Sequence, residues 1–346
     1  MKKNTQTTSR KKDHVELTVN KNVTFREKRT GFDEWEFIHN ALPEINFSEI
    51  DTSTTFLSAQ LSFPFLISCM TGGYADAERI NKELAEVCEE FRIAMGVGSQ
   101  RQALENTTYH TSFSIVRKAA PTIPIIGNIG APEVAQLKNI FSIQKLAELI
   151  GANAFAVHLN PLQEFLQPEG NTNFRGVLAG IELLVKKLSI PIIVKEIGAG
   201  ISGEVAKKLL NIGVSYIDVA GAGGTSWAGV EILRSKEQQE QNPFWDWGIS
   251  TVESLQQVLL LKKKNSQLTV IASGGITNGV ECAKAMALGA DMTASARPML
   301  QALFQGGKKS FREKLHQWKR EFQGAMFLTG VKTIKELQRG KVIQKK

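Results

Sequence analysis

Ala154-Phe155-Ala156-Val157-His158-Leu159-Asn160-Pro161-Leu162-Gln163-Glu164 is the stretch on which the fold turns. Its first four residues are an unbroken apolar run, the pattern of a strand buried on both faces. Four polar side chains follow within seven residues: His158, Asn160, Gln163 and Glu164. Pro161 ends regular pairing, because it has no N–H to give to a ladder. A buried strand therefore delivers an imidazole, two amides and a carboxylate to one place and stops. In a barrel of alternating strands and helices, strand ends are where chemistry sits. The competing reading is a strand followed by an ordinary polar loop.

The same rhythm extends to both sides. Upstream, apolar runs at 65–69, 94–97 and 123–126 predict strands. They end in Met70-Thr71-Gly72-Gly73, Gly98-Ser99-Gln100-Arg101 and Gly127-Asn128-Ile129-Gly130. Helical spacing fills 75–91, 113–118 and 142–150. Downstream, strands are predicted at 190–194, 216–219, 269–272 and 291–294, with helices at 174–188, 203–211, 251–262 and 279–288. Residues 236–248 read as a polar-aromatic insertion. Eight strands, each followed by a helix, predict an α/β fold of the (β/α)8 TIM-barrel type over 63–305. A doubly wound open sheet needs fewer strands and a glycine fingerprint after the first one. Residues 1–62 are expected to form an arm and extension against the barrel, and 306–346 a helical tail.

Composition fits a globular chain: 346 residues, 42% hydrophobic and 22% charged. Cys69, Cys88 and Cys282 are far apart and odd in number, with neither metal-site nor disulfide spacing. No apolar run reaches membrane-span length. The polar, basic N-terminus has no apolar core to make it a secretion signal. The expectation is a cytoplasmic protein. The net charge of +8 is concentrated in residues 306–346, which hold 12 Lys/Arg against 3 Asp/Glu. Within that tail Phe311, Leu315, Trp318, Phe322 and Met326 recur at helical spacing, so the basic residues form the solvated face of a packed helix. No recognition motif accompanies the charge, and no nucleic-acid partner is expected. By composition alone residues 1–12 read as a disordered arm.

The strand ends supply the chemistry. Gly274-Gly275 after the seventh strand and Ala296-Arg297 after the eighth stand where barrels bind phosphate. Glycine lets backbone N–H groups approach an oxyanion, and the helix opening at Gly279 is expected to add positive potential. Gly221-Ala222-Gly223-Gly224-Thr225-Ser226 after the sixth strand is a second such loop. Lys195, emerging from an apolar strand, is either a Schiff-base nucleophile or a fixed cation beside an anionic ring. Glu164 with Gln163 offers hard oxygen ligands but one carboxylate, which suits Mg²⁺ shared with substrate phosphates rather than zinc.

Taken together, these motifs carry a resemblance. The chain resembles the type 2 isopentenyl-diphosphate delta-isomerases, FMN-dependent enzymes of isoprenoid synthesis. The match runs in order through Arg10-Lys11-Lys12-Asp13-His14, Met70-Thr71-Gly72-Gly73, Gly98-Ser99-Gln100-Arg101, His158-Leu159-Asn160-Pro161-Leu162-Gln163-Glu164, Lys195-Glu196-Ile197-Gly198, Gly223-Gly224-Thr225-Ser226-Trp227 and Ser273-Gly274-Gly275-Ile276. The family usually has Arg after Gly-Gly-Ile, where this chain has Thr277.

The resemblance implies an allylic proton shift from isopentenyl to dimethylallyl diphosphate, with reduced FMN as acid and base, NADPH as reductant and Mg²⁺ on the diphosphate. It implies FMN binding by Met70, Thr71, Gly72, Ser99, Asn128, Lys195, Thr225, Gly274, Gly275, Ala296 and Arg297. Arg10, Lys11 and Arg101 would hold the diphosphate, a role suited to the bidentate guanidinium. Asn160, His158 and Gln163 would line the substrate, with Gln163 and His158 catalytic and Glu164 holding the metal. Residues 10–14 then become a substrate lid rather than part of a disordered tail. A tetramer or octamer is implied. The alternative is an FMN-dependent oxidoreductase of a small anionic substrate on the same barrel. Its hydroxy-acid oxidase form needs a His base paired with an Arg, and His158 is followed by amides and a carboxylate instead. A purine-nucleotide dehydrogenase needs a Cys in the loop after the sixth strand, and Ala220 to Trp227 contains none.

Overall fold

The computed structural model describes residues 2–235, 241–339 and 342–346, with side chains from Arg10 onward. Eight parallel strands close into a barrel: β1 Phe65–Ile67, β2 Ala94–Gly96, β3 Ile125–Gly130, β4 Ala154–His158, β5 Ile192–Lys195, β6 Tyr216–Asp218, β7 Thr269–Ser273 and β8 Met292–Ser295. β8 pairs with β1 and β6 with β7, so no edge is left open. The (β/α)8 architecture is the one read from the sequence.

β3 departs most from expectation. It starts two residues later than the apolar run and continues to Gly130, so Gly127-Asn128-Ile129-Gly130 is strand, not loop. The glycines permit it: a Cβ on Gly127 would lie 2.5 Å from the Phe155 ring of β4. Pro161 opens the helix Pro161–Leu166, where its missing N–H costs nothing. That immediate turn folds Gln163 and Glu164 back over the mouth.

The core has two layers. Inside the barrel, Leu66, Ala94, Ile126, Ala154, Ile193, Ile271 and Met292 form one cluster. It is joined by Phe56 and Leu61 from the hairpin strands Thr54–Phe56 and Ala59–Leu61, so the hairpin stops the barrel's lower end. Outside, the larger cluster lies between strands and helices. The last long helix, Arg297–Leu328, bends at Gly306 and Gly307, where Gly307 has φ 62°. Beyond the bend Phe311, Leu315, Trp318, Phe322 and Met326 are all buried. Part of its basic face meets carboxylates of the body: Lys308 pairs with Glu86 at 2.7 Å and Arg312 with Glu90 at 2.7 Å.

Residues Lys2–Asn20 form a helix, where composition alone reads disorder. It packs on Arg297–Leu328, on Arg101–Glu105 and on Trp227–Arg234. The following segment lies on the sixth strand's glycine loop: Phe25 N–H donates to Gly224 O (3.1 Å), and Ser226 N–H to Val23 O (2.8 Å). The strand Trp35–Phe37 pairs antiparallel with Ile343–Lys345. Of the polar-aromatic insertion, residues 236–240 lie outside the described residues. No helix among the described residues is long and apolar enough to cross a membrane.

Candidate active site

Two adjoining chambers open at the C-terminal ends of the strands. The larger, about 390 Å³, is walled by the glycine loops after β6 and β7 and by the end of β8. It takes in Thr225, Gly274, Gly275, Ala296 and Arg297 of the expected FMN set. The smaller, about 120 Å³, is polar. It gathers Arg10, Lys11, Arg101, His158, Asn160, Gln163 and Glu164 together with Thr71, Gly72, Ser99 and Asn128. Met70 and Lys195 border both. Every residue of the expected catalytic, FMN-binding, substrate-binding and metal sets thus lines one chamber or the other.

The larger chamber fits a phosphate-tailed planar cofactor. Its volume is in the range of small-molecule sites. The two glycine loops pack backbone on backbone: a Cβ on Gly224 would sit 2.4 Å from Gly275 N, and one on Gly274 2.1 Å from Gly221 O. Gly274 (φ 102°) and Gly275 (φ 71°) also hold conformations that other residues rarely adopt. The helix opening at Gly279 does not contribute as expected. Gly279 N–H donates to Glu321 (2.7 Å), and Thr277 N–H to Glu281 (2.7 Å). The helix N-terminus that faces this chamber is instead the one at Arg297.

Lys195 ends β5 in register with His158 of β4 and Asp218 of β6. Its ammonium donates to Glu196 O at 2.6 Å and lies 3.5 Å from the Asp218 carboxylate. Asp218 is buried and also accepts from Ser273 Oγ. Lys195 is therefore a fixed, paired cation rather than one free to attack. Next to it, Glu196 accepts N–H bonds from Ile197 (2.6 Å), Gly198 (2.7 Å) and Ala199. Burial nevertheless raises it to about 7.

In the polar chamber His158 is half-buried near Lys195, Arg10 and Lys11. Desolvation first, then those cations, lowers its pKa to about 3. Asn128 Oδ1 lies 2.9 Å from Nδ1, which makes Nδ1 the donor and leaves Nε2 as an acceptor. Glu164 is 5% exposed. It accepts from Asn160 Nδ2 (3.0 Å), Gln167 Nε2 (2.7 Å) and Asn171 N–H (2.6 Å), and does not pair with Lys195. Asn160 Oδ1 beside it is buried without a partner among the described residues. Two hard oxygens at one spot suit Mg²⁺, and no group of three His, Cys, Asp or Glu that could hold a metal occurs among the described residues.

The N-terminal helix supplies the cations. Lys11 Nζ donates to Gly72 O (2.7 Å) and Ser99 O (2.6 Å), two carbonyls of the expected FMN set. Burial, then Arg10, lowers it to about 7. Arg101 pairs with Glu133 at 3.1 Å.

Sequence reasoning missed the carboxylate that ties this chamber together. Glu231 is fully buried on Trp227–Arg234, a helix capped by Ser226 Oγ accepting from Gly229 N–H (3.0 Å). It accepts from Gln163 Nε2 at 3.0 Å, lies 2.8 Å from His14 Nε2 and pairs with Arg234, which also pairs with Glu169. Burial pushes Glu231 up, but His14, Arg234 and Gln163 together hold it below the usual carboxylate range. The available signal was a carboxylate four residues after Trp227, within the otherwise apolar run 227–233. Asp218, a lone charge within the sixth strand, was equally visible.

Barrel, glycine cradle and buried cation define an FMN-dependent enzyme, and the chain matches the FMN-dependent dehydrogenase family over residues 3–118 and 142–344. Its backbone is similar to that of a flavocytochrome b2 with sulfite bound: TM-score 0.71 and 21% identity, covering 99% of this chain and 84% of that one. Within this class, the chain is 46% identical to the isopentenyl-diphosphate delta-isomerase of Pelodictyon phaeoclathratiforme, over 99% of this chain and 98% of the relative. It is also 46% identical to that of Chlorobaculum parvum, with the same coverage. The chain belongs to the FMN-dependent isopentenyl-diphosphate delta-isomerase family.

Proposed function

We propose that the protein converts isopentenyl diphosphate to dimethylallyl diphosphate. One proton leaves C2 and one arrives at the terminal methylene, with no net redox change. The observation that carries this reading is the pairing of a glycine-walled chamber with a cation-rich one across Lys195. Reduced FMN, made with NADPH, supplies the acid and base of the shift when bound. Met70, Thr71, Gly72, Ser99, Asn128, Lys195, Thr225, Gly274, Gly275, Ala296 and Arg297 would hold it. Lys195 would offset negative charge on the flavin ring, and the backbone N–H groups near Gly275 and Ala296 would take the phosphate.

Arg10, Lys11 and Arg101 would hold the diphosphate, and Glu164 with Asn160 Oδ1 would hold Mg²⁺, which supplies countercharge to the phosphates. Gln163 is fixed near the migrating proton by Glu231. His158, which desolvation and the neighbouring cations keep neutral in the ligand-free protein, presents Nε2 as an acceptor. The N-terminal helix closes over bound substrate as a lid. A cytoplasmic homo-oligomer, tetramer or octamer, completes the reading.

The test is turnover of isopentenyl diphosphate by FMN-loaded protein. Activity is expected only after reduction by NADPH or dithionite, with no stoichiometric consumption of reductant. Full activity in the oxidised, reductant-free state overturns the reading.

A further inference from the structure

We propose that the Arg297 side chain is a positioning residue for the substrate. It grips the C-terminal end of the N-terminal helix and so holds Arg10, Lys11 and His14 over the barrel mouth. Its Nε donates to Thr18 O at 2.7 Å and its Nη2 to Lys21 O at 2.8 Å. One turn further along the same helix, Gln301 Nε2 donates to Val19 O at 3.3 Å.

A helix C-terminus leaves its last carbonyls without intrahelical donors and favours a nearby cation. Lys2–Asn20 has no basic residue in its last turn. Arg297 supplies that cation from another element, and its planar fork reaches two carbonyls at once. The rod between grip and ligand is short: Thr18 bonds back to His14 O at 2.7 Å, and Lys11 lies about one turn further. The backbone of Arg297 meanwhile opens a helix at the wall of the larger chamber. One residue thus touches the cofactor chamber through its main chain and sets the substrate chamber through its side chain. The resemblance assigns Arg297 to FMN alone.

This inference rests on the proposed function for the identity of the ligand that the helix meets. It is tested on full-length, FMN-loaded wild type, Arg297→Ala, Arg297→Lys and Gln301→Ala. The readouts are amide hydrogen exchange of residues 10–20, KM and kcat for isopentenyl diphosphate, and FMN affinity. For Arg297→Ala, exchange is expected to accelerate across the helix and KM to rise about tenfold, the loss of charge-assisted hydrogen bonds, with FMN affinity within about threefold. Arg297→Lys should recover part of the protection with its single point charge, and Gln301→Ala should lose a smaller part. Unchanged helix exchange in Arg297→Ala overturns the proposal. So does a loss of FMN affinity in step with KM, which would return the side chain to the cofactor phosphate. If Arg297→Ala does not fold, Arg297→Lys and Gln301→Ala decide by the same exchange measurement. Absence of isomerisation in the wild type would count against the proposed function, while the exchange data still decide on Arg297.

Discussion

Gln163 Nε2 donates to Glu231 Oε1 at 3.0 Å, joining the helix after β4 to the helix after β6. The same carboxylate meets His14 of the N-terminal helix. A single buried acceptor therefore orients a residue of the reaction chamber and anchors the segment that covers it. Glu231→Gln keeps the shape and removes the charge. The expected outcome is a fall in kcat of about 10²-fold, from lost preorganisation, with FMN affinity unchanged. Steady-state kinetics beside a flavin fluorescence titration check it, and a wild-type kcat rules out this role for Glu231.

Asp218→Asn leaves Lys195 without its buried partner. Removing one member of such a pair costs about 3–5 kcal/mol of stability. The ammonium also gains effective charge beside the flavin, so the potential of the bound cofactor should move positive. Urea unfolding and a redox titration on one preparation read both effects. An unmoved potential separates Asp218 from the cofactor.

Glu164→Gln tests the metal site. The variant should bind FMN normally, need far more Mg²⁺ and lose about 10²-fold or more in activity. An unchanged Mg²⁺ midpoint in an active variant removes Glu164 from the site. Glu164 is held by Asn160, Gln167 and Asn171 rather than by a cation, so no unpaired charge is left behind.

Lys11 gives the site a pH signature. Burial lowers it to about 7 in the ligand-free protein, so above that pH the folded state carries the neutral amine while an exposed lysine stays charged to about 10.4. A bound diphosphate favours the charged form and raises the pKa again. Binding at pH 8.5 should then take up about one proton, and the uptake should fade towards pH 6, where Lys11 is already protonated. Calorimetry in two buffers of different ionisation enthalpy measures it. Uptake that persists in Lys11→Met assigns the proton elsewhere.

Much of this was legible in the sequence because strands buried on both faces are written as apolar runs. The helices Gly203–Asn211, Thr251–Lys262 and Gly279–Leu288 begin and end where spacing predicts. β3 was misread at its end because Gly127 and Gly130 look like turn residues. Here they serve close approach, to the Phe155 ring in one case and to Glu133 and His158 in the other. The strand-end motifs brought together the expected site residues. They could not show Glu231 and Asp218, whose roles depend on partners 68 and 23 residues away in sequence, Gln163 and Lys195. Nor could they show that Gly279 N–H is already taken by Glu321, since that bond forms only once the tail helix docks.

Gly130, His158, Lys195 and Asp218 stand opposite one another across four consecutive strands. Their relative height is therefore set by the hydrogen-bond ladder, which moves in whole residues, and not by how tightly the side chains beneath them are packed. A one-residue slip would turn His158 or Lys195 to the other face of its strand; nothing smaller can shift them along it. Substitutions such as Ile193→Val can therefore erode the thermal tolerance of the barrel while its turnover at moderate temperature stays the same. Mutational drift in the interior and selection on the mouth act on separable properties of one chain.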